Sequence, residues 1–186
     1  MRIWFSPIPV AAAALLVLGV LVALTVIDSP RTRTWARWLL ALSVAGILTL
    51  TLLGSATGTG APNLIPGWTV NHQLTDPSYP LGVGNVVGNV AMFVPLGWLV
   101  ALVIGRRRIL VAAIVGFGLS AVIEVVQWFT GRISDIDDLI LNGIGAVLGA
   151  CIAVLILTAG SGRRRAADAR LRSQRTAKPR ESSAAR

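Results

Sequence analysis

The 186 residues contain one cysteine and one histidine, and only 13% are charged. The lone Cys151 closes no intramolecular disulfide, and its place in an apolar run reads as a small residue facing core or lipid. A Cys/His metal cluster is excluded by the same counts. No phosphate-cradling P-loop and no GxSxG nucleophile elbow occurs. The charge content is far below the roughly 25% of a soluble domain. With 54% hydrophobic residues and a mean hydropathy of +0.73, a water-soluble globule, a disordered chain and a collagen-like fibre are all excluded.

What charge there is leans one way. The formal net charge is +9, from 17 Lys+Arg against 8 Asp+Glu. Such a balance admits a nucleic-acid binder. The basic residues fall between long apolar runs, so nucleic acid is not the expected partner. Membrane lipid is.

A bilayer core of about 30 Å needs about 20 apolar helical residues. Five stretches meet or approach this: Ile8–Ile27, Trp38–Leu53, Asn85–Ile104, Ile109–Phe129 and Leu139–Leu157, the second being short and open to extension on either flank. The first is too long for a signal-peptide core, and Thr25–Pro30 lacks an A-x-A cleavage pattern. The expected fold is an all-α integral membrane protein, a bundle of about five transmembrane helices with a disordered basic C-terminal tail. Its expected parts are 1–37, a transmembrane helix and basic cytoplasmic loop, 38–157, the transmembrane domain, and 158–186, the tail.

Positive charge sets the expected orientation. Fifteen of the seventeen basic residues lie in the 31–37 and 106–108 connections and in the tail. The long Gly54–Gly84 connection has none. The bias implies a multi-pass plasma-membrane protein with its N-terminus outside and its C-terminus cytoplasmic. Pro62, Pro66, Pro77 and Pro80 make the 54–84 connection read as irregular, with Trp68 and Tyr79 at the interface. Pro95 is expected to kink the third span.

The acidic residues carry the functional signal. Asp135, Asp137 and Asp138 stand together, and Glu124 lies inside an apolar run. A carboxylate in a membrane costs at least about 2–3 kcal/mol, so it needs a partner or a wet cavity. At 1.5 Å per residue, Asn89, Glu124 and Asn142 all lie roughly 5–8 Å below one end of their spans. Asn85 and Asn89 share a face, as do Ser120, Glu124 and Gln127, and Asp138, Asn142, Gly145 and Gly149. Gly145-x-x-x-Gly149 is a small-xxx-small pair that admits a neighbouring backbone. Arg132 is placed to pair with Glu124 or an Asp. Ser134 or Asp135 is placed to cap the last span. The expected ligand-binding set is Asn85, Asn89, Glu124, Gln127, Arg132, Asp135, Asp137, Asp138 and Asn142. Glu124 and Asp138 are the candidates for any catalytic role. The D-x-D-D spacing admits a divalent cation without requiring one, so no metal or cofactor is assigned. His72 reads as an interfacial loop residue rather than a base.

These residues carry a resemblance. Asn85-x-x-x-Asn89-x-x-x-Phe93-x-Pro95-x-Gly97 resembles the first signature of the VanZ-like membrane proteins. Glu124-x-x-Gln127, followed by Arg132-x-x-Asp135-x-Asp137-Asp138-x-x-x-Asn142-x-x-Gly145, resembles the second. Asn63-Leu64-Ile65-Pro66 resembles an outer-loop motif of the family, with Gly67 where Phe often follows. The resemblance covers roughly residues 40–157. It implies a bacterial cell-envelope protein of a family associated with antibiotic resistance, to teicoplanin, and it carries over no proven catalytic residue.

Three functions compete at this point. The first is recognition, in an outward-facing polar and acidic pocket, of a lipid-linked cell-wall precursor or a lipid-bearing glycopeptide. The second is an integral-membrane enzyme acting on a lipid-linked or carbohydrate substrate through Glu124 and the Asp residues, although no activated nucleophile is in sight. The third is a transporter, which the apolar inner halves of the spans disfavour. A membrane scaffold in which the polar groups only bond across helices is the plain alternative. Five short spans enclose little volume, so a homo-oligomer is a further expectation.

Overall fold

The computed structural model describes residues 20–25, 27, 30–52, 61–78 and 82–177. Within them the chain is a helical bundle. The helices are α1 (Pro30–Leu52), α2 (Trp68–Thr75), α3 (Gly82–Val103), α4 (Arg108–Phe129) and α5 (Ile136–Ala177). Among the described residues, four segments are long and apolar enough to cross a bilayer: Arg31–Leu52, Gly82–Val103, Arg108–Phe129 and Ile136–Gly162. The expected first span, Ile8–Ile27, lies mostly outside the described residues. Its described helical residues, 20–25, pack on the bundle, where the Trp98 indole N–H donates to Thr25 Oγ1 at 2.9 Å.

Three expectations are corrected. The second span starts at Pro30, not Trp38, so Arg31, Arg33 and Arg37 lie on the helix instead of in a loop. Pro suits the first helical position, and Arg is a good helix former whose long stem reaches water from a helix end. The 54–84 connection is not wholly irregular, since it contains α2. The tail is helical to Ala177, and 178–186 fall outside the described residues. Ala, Arg and Leu favour helix, and extending an existing helix needs no new nucleus. Tyr79 also lies outside the described residues.

The core is built on α3. Phe93, Leu96 and Trp98 are buried, and α5 brings Ala146, Ala150 and Ala153 against them. The α3–α5 contact is backbone on backbone. A Cβ on Gly97 would lie 1.8 Å from the Ala146 carbonyl oxygen, one on Gly145 2.2 Å from that of Val90, and one on Gly149 2.0 Å from that of Val94. The small-xxx-small pair therefore faces α3. On α4, Ala112, Gly116, Ser120 and Ile123 line the third side. Large apolar side chains such as Leu42, Leu50, Ile114 and Leu155 stand outward, as a lipid solvent allows. Helix α3 runs through Pro95 without interruption. The two ends of the bundle are chemically distinct. One gathers the C-termini of α1 and α4 with the N-termini of α3 and α5. The other gathers Arg31–Arg37 with the Arg106–Arg108 turn.

Candidate functional site

The first of these ends holds the polar residues. Its frame is a strap, residues 61–67, bound to the segment before α5. Asn63 N–H donates to the Ser134 carbonyl at 2.9 Å, and Ile136 N–H donates to the Asn63 carbonyl at 3.0 Å, an isolated parallel bridge between Asn63 and Asp135. The Asn63 side-chain NH2 donates to Asp135 Oδ1 at 3.1 Å and to Thr69 Oγ1 at 2.8 Å. Asp135 also caps α5, since its Oδ1 accepts the Asp137 N–H at 2.9 Å.

Asp137 is 2% exposed, and it holds α2 in place. Its Oδ1 accepts Gly67 N–H at 2.6 Å. Its Oδ2 accepts Thr69 N–H at 2.9 Å and Val70 N–H at 3.1 Å. These are amides at the N-terminus of an eight-residue helix whose own N-cap, Gly67 at φ +82°, supplies no side chain. A carboxylate there satisfies orphan donors and matches the helix dipole. On α2, His72 Nδ1 lies 2.8 Å from the Trp68 carbonyl, and its ring stacks on Trp68 at 4.1 Å. Beyond α2 the Ser78 N–H bonds Asp76 at 2.8 Å and holds that carboxyl below the usual carboxylate range.

Glu124 is buried on α4 and ties it to the same frame. Its Oε2 accepts the Ser134 hydroxyl at 2.9 Å and the Asp135 N–H at 2.7 Å. On α5, Asp138 accepts a short hydrogen bond from Asn89 of α3. One turn on, Asn142 donates to Ser120 Oγ of α4 at 2.9 Å. Three helices thus converge on one polar layer. Asn142 is 3% exposed, and its Oδ1 is a buried side-chain oxygen with no hydrogen-bond partner. Such an atom costs about 1–3 kcal/mol when left unpaired. Among the described residues, Glu124 Oε1 and Asp138 Oδ2 take no hydrogen bond either. Glu124, Asp135 and Asp137 are close enough to Asp138 for their charges to act on it.

The expected set divides. Asn89, Glu124, Asp138 and Asn142 meet as a layer, with Ser120 added. Asp135 and Asp137 are occupied by the strap and α2. Gln127 and Arg132 make no hydrogen bond to the acids, although the Arg132 charge is close enough to act on Glu124. Gln127 Nε2 donates to the Thr51 carbonyl at 3.1 Å, and Arg132 donates to the same oxygen. Both therefore close the C-terminus of α1, where free carbonyls attract donors and positive charge. This corrects the expected pairing of Arg132 with a carboxylate. Asn85 is exposed, a turn away from the layer. Among the described residues no three His, Cys, Asp or Glu side chains stand together to hold a metal ion. Asn63 and Ser134 belong to the frame, although only the loop motif and a capping position pointed to them.

The model of the VanZ/LLP1 family matches residues 14–157. That range reaches further towards the N-terminus than the polar signatures do. No curated protein and no solved structure matches the chain. The match takes in well over half of the sequence, including the strap, both polar signatures and the α3–α5 contact. The chain therefore belongs to the VanZ/LLP1 family and is a multi-pass membrane protein.

Proposed function

We propose that this is a cell-envelope protein whose polar layer opens to the outer face and recognises a donor-rich ligand anchored in the bilayer. A lipid-linked envelope component or an acyl-bearing glycopeptide antibiotic of the teicoplanin type has that chemistry. Resistance to such drugs is the cellular function that would follow.

One observation carries the reading, the unpartnered Asn142 Oδ1 beneath two carboxylates. Asn142 Oδ1, Glu124 Oε1 and Asp138 Oδ2 are all acceptors. A partner that answers them presents hydroxyl, amide or ammonium hydrogens, as sugars and peptides do. A buried acceptor without a donor is rare unless something else supplies it. The absence of Lys and Arg from 54–84 supports placing this end outside.

The test is resistance to teicoplanin, and binding of a fluorescent teicoplanin, in cells expressing Glu124→Ala, Asp138→Ala or Asn142→Ala. Expression is matched by quantifying the protein in membranes. The three variants are expected to lose binding and resistance. Wild-type binding in all three would refute the proposal.

A further inference from the structure

Three oxygens of the polar layer have no donor, and two of them belong to carboxylates. Asn142 spends its NH2 on Ser120 Oγ, and its buried Oδ1 accepts nothing. Glu124 is 6% exposed and takes both of its hydrogen bonds on Oε2, which leaves Oε1 free. Asp138 takes its bond from Asn89 on Oδ1, which leaves Oδ2 free.

Helix geometry makes these oxygens neighbours. Asp138 and Asn142 are one turn apart on α5, and Ser120 and Glu124 one turn apart on α4. The Asn142–Ser120 bond ties the deeper pair, which sets Asp138 level with Glu124 on the turn above. A helical side chain leans towards the N-terminus of its helix, so the Asn142 amide leans towards Asp138. Cβ atoms one turn apart lie about 5–6 Å from each other. Two N–H···O bonds of about 2.8 Å that share one nitrogen span such a gap.

Charge decides what fills it. The charges that act on Asp138 come from Glu124, Asp135 and Asp137, and all are negative. Arg132, the cation that acts on Glu124, gives its hydrogen bond to the Thr51 carbonyl. Among the described residues no cation is hydrogen-bonded to Glu124 or Asp138, although buried charges are ordinarily held in pairs. A divalent metal ion is a poor complement, since it takes six or more oxygens and only three are free here. An alkylammonium has three N–H donors and no acceptor, one donor for each free oxygen.

We infer that the group seated in the polar layer is a protonated primary amine, an inference that rests on reading the layer as a ligand site. Its three hydrogens go to Glu124 Oε1, Asp138 Oδ2 and Asn142 Oδ1, the first two as bonds between opposite charges. Asn89 and Asp138 are half-buried whereas Asn142 is buried, so the amine enters past them. The ligand class narrows to bilayer-anchored molecules that present an aminoalkyl or amino-sugar group.

The experiment is native mass spectrometry of the full chain in detergent at neutral pH, titrated with three probes of equal chain length. Dodecylamine carries the charge and three N–H donors, dodecyltrimethylammonium the charge alone, and dodecanol a donor alone. One dodecylamine is expected to bind, about tenfold tighter than either of the others. Glu124→Gln, Asp138→Asn and Asn142→Ala are each expected to weaken it about tenfold. Asp76→Asn, a loss of the same charge in the turn beyond α2, is expected to stay within about twofold. The comparison of probes needs no variant, so the idea stays testable if Glu124→Gln fails to fold. Equal binding of dodecanol or dodecyltrimethylammonium, an equal loss in Asp76→Asn, or displacement of dodecylamine by equimolar calcium would overturn the inference. The two readings fail separately. If Asn142→Ala loses teicoplanin while dodecanol matches dodecylamine, the amine falls and the ligand site stands. If drug and probes bind every variant of the layer as they bind wild type, both fall.

Discussion

Asp137→Ala removes the carboxylate that accepts three amides of the strap and α2. Those bonds measure 2.6, 2.9 and 3.1 Å, and the residue is 2% exposed. A hydrogen bond to a charged group contributes about 1.5–3 kcal/mol when its loss leaves a buried partner bare. Here the freed amides lie near the end of the bundle and can regain water. About 1 kcal/mol each is therefore the fairer figure, or about 3 kcal/mol together. Helix α2 has eight residues and no other side-chain cap, too short to persist on its own. It should therefore open while the spans stay folded. Hydrogen exchange at the amides of Gly67, Thr69 and Val70 should rise by a hundredfold or more, with α3, α4 and α5 still protected. Asp137→Asn should show a smaller rise, because both carboxylate oxygens are engaged and the amide NH2 replaces one of them. Unchanged exchange at residues 67–70 in Asp137→Ala would show that α2 is held by something else.

Other outcomes follow from the same geometry. In Gly149→Ala the new Cβ meets the Val94 carbonyl oxygen at 2.0 Å, so α3 and α5 must separate, at about 1–3 kcal/mol. A lower unfolding temperature in detergent checks this, and Gly118→Ala, which meets nothing within 4 Å, is the matched control. Arg132→Ala should loosen the end of α1, seen as faster exchange near Thr51, while ligand binding at the polar layer persists. Asp76 has its carboxyl lowered by the Ser78 N–H, so that turn is intact above the ordinary Asp value of 3.8 and frays as pH falls through the lower folded value. The Ser78 amide resonance should follow this titration.

The polar layer was legible because helix geometry is rigid. Counting 1.5 Å per residue from each span's end places Asn89, Glu124 and Asn142 at one level without any tertiary knowledge. Gly145 and Gly149 were equally readable, since only small residues let two backbones touch. The contact of Gln127 and Arg132 with α1 was not legible, because their partner is a main-chain carbonyl at Thr51, which no residue type announces. Asp137 looked like a free acid for the same reason, its partners being amides about seventy residues away. The start of α1 was missed because hydropathy penalises Arg31, Arg33 and Arg37, whereas a helix end accommodates them. The far half of α5 reads as a polar tail by composition, yet its Ala, Arg and Leu residues favour helix and are attached to a helix already nucleated.

The contact of α3 with α5 has a mechanical consequence. Where Gly97, Gly145 and Gly149 meet opposing backbone, no side chain lies between the helices to flex or change rotamer. The two move as a single beam. That beam carries Asn89 and Asp138 near one surface and Leu102 and Ile156 near the other, about 27 Å apart along α5. A tilt imposed by a ligand at the acidic end is therefore a tilt at the arginine end. Helices held backbone to backbone transmit such a tilt without any relay of side chains.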